Sequence, residues 1–153
     1  MSSKNAAAAI DTASIEDLPD LIDLFDLYRT FYDYASDRDK AALFLRERLE
    51  QGSSIILLAR LQEQAVGFVQ CYPAHSSLEC RPSWLLSDLY VAETFRGLGI
   101  GSALLEAAQN IAREAGCCVV ELFTAKTNTA ARQLYEMQGY REDREFLHYE
   151  LFL

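Results

Sequence analysis

The stretch Tyr90–Ala108, YVAETFRGLGIGSALLEAA, places Gly97, Gly99 and Gly101 directly after Arg96, between an apolar run and an alanine-rich helical pattern. A helix start presents unpaired backbone N–H groups and the positive end of the helix dipole. Glycines remove the side chains that would keep an anion away from those donors. Arg96 adds a fixed positive charge and a forked donor. The pattern therefore reads as a pocket for a phosphate or pyrophosphate. A Walker loop needs a lysine that is not present here. The dinucleotide fingerprint G-x-G-x-x-G fails because Ser102 stands where its last glycine belongs. A tight helix-start turn with no ligand also accounts for the glycines.

The elements around this loop follow from periodicity. Trp84–Val91 reads as a strand, Ser102–Ala115 as a helix closed by Gly116, and Cys117–Ala125 as the most hydrophobic and central strand. Together they form a βαβ unit, expected to be parallel and right-handed. Upstream, Ala6–Ile10 is a short strand. A helix follows, with Ser14 as N-cap, Asp17 completing a near capping box, and Leu18, Leu21, Ile22, Leu24, Phe25 and Tyr28 at helical spacing. A second helix begins near Asp37 or Asp39 and ends before Gly52. Two β-type runs flank the turn Gln62–Gln64 as a hairpin, and a loop spans Pro73–Ser83. The segment NTAARQLYEMQGY is a helix closed by Gly139, and Glu145–Leu153 alternates as a final strand. The order β-α-α-β-β-β-α-β-α-β gives an α/β fold in one domain, residues 1–153.

Composition narrows the partners. The chain has 153 residues, half of them apolar, and a formal net charge of −9. An acidic surface repels nucleic acid, and it either attracts cationic small molecules or basic peptides or serves solubility alone. No apolar run approaches the ~20 residues of a membrane helix, and the N-terminus lacks a signal-like core, so a cytoplasmic protein with no membrane partner is expected. Cys71, Cys80, Cys117 and Cys118 form no C-x-x-C pair, and His75 and His148 are isolated, so no metal site is expected. Cys117 and Cys118 sit in an apolar run and are expected to be buried, reduced thiols.

Arg96-x-x-Gly99-x-Gly101 resembles the acyl-CoA pyrophosphate loop of the GNAT N-acetyltransferase superfamily. The flanking LYVAETF and SALLEAAQNIAREAG resemble the strand and helix around that loop. NTAARQLYEMQGY resembles a second signature of the superfamily, an Asn followed seven residues later by Tyr. The resemblance runs from about Ile55 to the C-terminus and implies a mixed sheet of about six to seven strands flanked by about four helices. A further similarity, YRTFY against YRxFY, points to the histone and polyamine (diamine) acetyltransferase-like group.

By that resemblance the cofactor is acetyl-CoA. Backbone N–H groups of Arg96, Gly97, Leu98, Gly99, Ile100, Gly101 and Ser102 hold its diphosphate. The backbone of Leu89, Tyr90 and Val91 pairs with the pantetheine arm, where the family's sheet opens. Asn128 bonds near that arm or caps its own helix. Tyr135, whose phenol class has a pKa near ~10, donates to the thioester sulfur as coenzyme A departs. The acceptor is a primary amine, a small amine or polyamine first, then a protein lysine or N-terminus, then an amino acid or antibiotic. Making an amine of pKa ~10.4 neutral at pH 7 costs about 4–5 kcal/mol, so a base is useful. SDLYV departs from the related EDxxV at Ser87, which leaves the base open between Asp88, Glu93, a water chain and an amine that arrives neutral. Strand alternation points Asp88 and Ser87 to opposite faces. Tyr28, Phe31, Tyr32 and Tyr34, interleaved with Asp26, Asp33 and Asp37, suit a cationic acceptor or form an ordinary helix face. A homodimer through the C-terminal segment is also implied.

Overall fold

The computed structural model describes residues 7–153; Ala6, the first residue of the expected opening strand, lies outside them. The chain divides into a unit that ends at Phe123 and a second unit, Thr124–Leu153. The first unit holds strands β1 (Ala9–Thr12), β2 (Ile55–Leu61), β3 (Gln64–Ser76), β4 (Arg81–Val91) and β5 (Val120–Leu122), with helices α1 (Leu18–Phe31), α2 (Arg38–Gln51) and α3 (Ile100–Glu114). The second holds α4 (Thr129–Met137).

Local signals start α1 and α2. The Ser14 N–H donates to Asp17 Oδ2 (2.8 Å) while the Glu16 N–H donates to Ser14 Oγ (3.3 Å), a capping box on the short turn that leads into α1. Asp37 caps α2 by accepting from the Lys40 N–H (3.0 Å). Arg60 of β2 reaches back to Asp17 (2.7 Å) and Asp20 (2.8 Å), fastening the start of α1 to the sheet.

Strands β1 to β4 pair antiparallel in chain order, and β5 joins β4 in parallel through α3. Leu21, Leu24, Phe25 and Leu45 of α1 and α2 pack with Ile56, Leu58, Phe68 and Tyr90 on one face of the sheet. Alternation turns Leu57 and Val69 to the opposite face. Buried Leu104 and Leu105 belong to α3, which packs on β2, β3 and β4.

Several expected boundaries change. The expected loop Pro73–Ser83 is mostly ladder: Pro73 faces Trp84, His75 faces Pro82, and Ser76 faces Arg81. Proline is tolerated where its missing N–H would point away from the ladder, so two prolines did not mark a loop. The run Cys117–Ala125 yields only Val120–Leu122, and β5 is the edge of the sheet rather than its centre. Glu145–Leu153 forms no strand. Phe146, Leu147, Tyr149, Leu151 and Phe152 are exposed there, and the Asp143 carboxylate takes the N–H groups of Glu145 (2.8 Å) and Phe146 (3.3 Å). Alternation states which face a strand would show, but a strand exists only with a ladder partner. The described sheet therefore has five strands, not six or seven, and the expected final strand is missing from the order. Cys117 and Cys118 are half-buried rather than buried; all four cysteines are free thiols. No helix among the described residues is long and apolar enough to cross a membrane.

Candidate active site

Strand β4 carries the first part of the site. Its register with β3 slips at one point: Gln70 faces Asp88, and the next residue, Cys71, faces Leu86. Ser87 is thus an extra residue, a β-bulge, which re-aims its neighbours. Ser87 Oγ donates to Asp88 Oδ1 at 3.2 Å, so the two side chains meet instead of lying on opposite faces. Simple alternation fails there because the bulge breaks the period of two.

Asp88 is 7% exposed. Gln70, fully buried, donates from Nε2 to Asp88 Oδ2 at 2.6 Å, and its Oε1 accepts from Ser54 Oγ at 2.8 Å. That second bond fixes which way the Gln70 amide points. The Tyr28 hydroxyl from α1 also donates to Asp88. Burial pushes the Asp88 carboxyl above its ordinary value, and the bonds from Gln70, Tyr28 and Ser87 only partly offset this. Such a carboxylate is poised closer to neutral pH than a solvated one. Glu93 is exposed on the short turn after β4, and its backbone carbonyl accepts the Arg96 N–H (3.3 Å).

The second part is the loop. β5 accompanies β4 only from Trp84 to Leu86, so Leu89, Tyr90 and Val91 continue with no partner strand on that side among the described ladders. The chain then turns through Gly97 (φ 76°) and Gly99 (φ 79°), left-handed values that favour glycine. A Cβ added at either would meet no atom within 4 Å, so the space above the turn is open. α3 starts at Ile100, before the expected Ser102, and no side chain caps it. The N–H groups from Gly97 to Ser102 have no hydrogen-bond partner among the described residues. A row of bare donors at a helix start fits a diphosphate.

Arg96 departs from its expected part. Its backbone N–H is taken by Glu93, and its Nε donates to the Val91 carbonyl (2.9 Å). The guanidinium lies 5.4 Å from the ring centres of both Phe31 and Tyr90. It fastens the loop to β4 and α1 through cation–π contacts.

On α1, the half-buried Tyr28 ring stands 5.9 Å from Phe68, 6.4 Å from Tyr90 and 5.2 Å from Tyr32, and Phe31 is 5.1 Å from Tyr32. Tyr28 thus joins the expected aromatic set to Asp88, while Phe31 joins it to Arg96. The interleaved acids do not line this cluster as an acidic wall. Asp26 accepts from Ser36 Oγ (2.5 Å) and the Asp37 N–H (2.9 Å), which hold its carboxyl below the usual range. Asp37 is a helix cap.

In the second unit, Asn128 Oδ1 caps α4 by accepting from the Ala131 N–H at 3.2 Å. The Tyr135 ring lies 5.9 Å from that of Tyr140 at 64°, and the Tyr140 N–H donates to the Tyr135 carbonyl (3.0 Å). Two residues beside Asp88 and Tyr28 escaped the sequence reading. Gln70 was signalled by a lone amide inside the apolar run GFVQCY. Arg29 was hidden among the rings and acids of DLYRTFYDYASD.

The model of the acetyltransferase (GNAT) family matches residues 21–140. An uncharacterized N-acetyltransferase, YhfO, of Bacillus subtilis (strain 168) is 43% identical over 122 residues, 80% of this chain and 82% of that protein. An uncharacterized N-acetyltransferase of Archaeoglobus fulgidus is 34% identical over 116 residues, 74% of this chain and 79% of its own. The crystal structure of a probable acetyltransferase superposes with a TM-score of 0.90 at 38% identity, covering 95% of this chain and 97% of that one.

Proposed function

The chain belongs to the GNAT acetyltransferase family, and from that premise we propose that it transfers acetyl from acetyl-CoA to the neutral nitrogen of a small primary amine, by direct attack. The observation that carries this reading is the row of bare N–H donors from Gly97 to Ser102, continuous with the strand edge that β5 leaves unpaired after Leu86. When bound, acetyl-CoA supplies an activated acetyl group and a thiol leaving group. The N–H groups of Gly97–Ser102 hold its diphosphate, and the Leu89–Val91 main chain pairs with its amide-bearing arm.

Asp88 accepts the proton that the incoming ammonium must lose. Its raised pKa brings it nearer to the amine's, which suits a general base. Gln70, Ser87 and Tyr28 orient its oxygens. Tyr135, in its place in the Asn-to-Tyr signature, donates a proton to the sulfur as the carbon–sulfur bond breaks. Asn128 bonds the arm of the donor as well as capping α4. Cys71, the buried thiol beside this network, is pushed up to about 12 by burial and by the Asp88 charge, so it stays protonated and supports direct transfer over an acyl-cysteine route. The exposed Phe146, Leu147, Tyr149, Leu151 and Phe152 support a homodimer.

The test is thiol release from acetyl-CoA across a panel of amines, with Gly99→Val beside the parent. Thiol release that requires an amine supports transfer; no release with any amine overturns it. Valine at a φ of 79° is strained and puts a branched side chain over the donors. The KM for acetyl-CoA should rise about tenfold or more, a loss of ~1.4 kcal/mol per decade, while the KM for the amine stays near the parent's. An unchanged KM for acetyl-CoA would remove the loop from the site.

A further inference from the structure

We propose that the acceptor amine also carries a carboxylate, and that Arg29 is the residue that reads it; this rests on the acetyl-transfer reading above. Against α1 lies an open pocket of about 330 Å³, lined by Phe25, Tyr28, Arg29, Tyr32 and Tyr34, and Tyr28 is the lining residue that connects it to Asp88. Aromatic rings among acids suggested a site for a bare cation, but the pocket's one charged lining residue is a cation. The nearby acid, Asp26, feels the Arg29 charge, but its two oxygens accept from Ser36 and the Asp37 N–H rather than from Arg29.

Arg29 Nη1 is buried and has no hydrogen-bond partner among the described residues. Its guanidinium carbon lies 5.7 Å from the Tyr34 ring centre, a contact that holds the plane but uses no N–H. A buried charged donor without an acceptor is costly, and native interiors rarely leave one. A carboxylate is the partner that a guanidinium fork fits best.

Tyr28 supplies the other half of the geometry. Its ring lines the pocket and its hydroxyl bonds Asp88. A ligand that rests on this ring can present its amine toward Asp88 and its acid toward Arg29. The rings between suit a methylene chain. The class is therefore an amino carboxylate with a primary amine at the far end of a short aliphatic chain, rather than a polyamine.

Lysine and cadaverine differ only by the carboxylate, so they separate the two cases. Calorimetry with each, on the full chain with coenzyme A present, measures binding without needing turnover. Lysine should bind the parent about tenfold or more tightly than cadaverine, one decade being ~1.4 kcal/mol. In Arg29→Gln lysine binding should fall to the cadaverine level, with cadaverine and coenzyme A affinities unchanged. Arg29→Lys, which keeps the charge and loses the fork, should fall between. Equal binding of the two amines by the parent, no binding of lysine, or an equal loss of both in Arg29→Gln overturns the proposal. The unchanged coenzyme A affinity shows that the variants are folded. The two readings fail separately: lysine preference without thiol release sinks acetyl transfer alone, and thiol release without lysine preference sinks the carboxylate alone.

Discussion

Asp88→Asn should lower kcat/KM at neutral pH by about 10²–10⁴-fold, the usual contribution of a positioned proton acceptor. The substitution keeps the shape of the group. An asparagine oxygen can still accept from Gln70 Nε2, now 2.6 Å away, and its amide can donate to a hydroxyl of Tyr28 or Ser87. What is lost is the ability to hold a proton.

The pH profile gives a second, independent reading. The base works ionised, so the parent's rate should fall on the acid side as Asp88 takes up a proton. Burial raises its pKa, which moves that limb to higher pH than a solvated carboxylate would give. The Asn variant should lose this limb and recover rate only as the amine itself deprotonates in alkaline solution. Stability should move the other way. A carboxyl whose pKa is raised by folding favours the protonated native state, and that contribution fades as pH rises through the folded pKa. The melting temperature of Asp88→Asn at neutral pH should therefore equal or exceed the parent's, which separates lost chemistry from lost fold. Parent-like kcat/KM in the Asn variant would move the base elsewhere, and exposed Glu93 would be tested next.

Gln70 shows why the sequence carried only part of this. The glycine loop, the Ser14–Asp17 box and the Asp37 cap were legible because each is decided within a few residues. The facing of Ser87 and Asp88 was not, because the bulge at Ser87 is a property of two paired strands. The arms around Pro73 and Pro82 read as loop because their extended form is held by each other. The run Glu145–Leu153 read as a strand because its pattern carries no information on whether a neighbour exists. Arg96 reads as an anion ligand from its position beside the glycines, yet Val91 and Tyr90 of β4 and Phe31 of α1 hold it, and all three lie outside its own loop. Arg29 and Gln70 gain meaning only from partners, or a missing partner, supplied by tertiary structure.

Tyr135→Phe should lower kcat by about 10²–10⁴-fold while leaving the affinity for coenzyme A unchanged. The ring, carried on α4, meets that of Tyr140 edge-on at 5.9 Å, and that contact needs only the ring. Asn128 caps the same helix through Oδ1, independently of the phenol. The variant keeps these two contacts and loses one hydroxyl. If that hydroxyl protonates the departing sulfur, its absence slows bond cleavage and leaves both ligands binding as before, so kcat falls and neither KM rises. Removing the Asn128 cap with Asn128→Ala should act differently, loosening the helix by about 0.5–2 kcal/mol and weakening acetyl-CoA binding along with rate. The two substitutions on one helix thus separate position from chemistry. A kcat in Tyr135→Phe equal to the parent's would leave sulfur protonation to water and reduce Tyr135 to a packing residue.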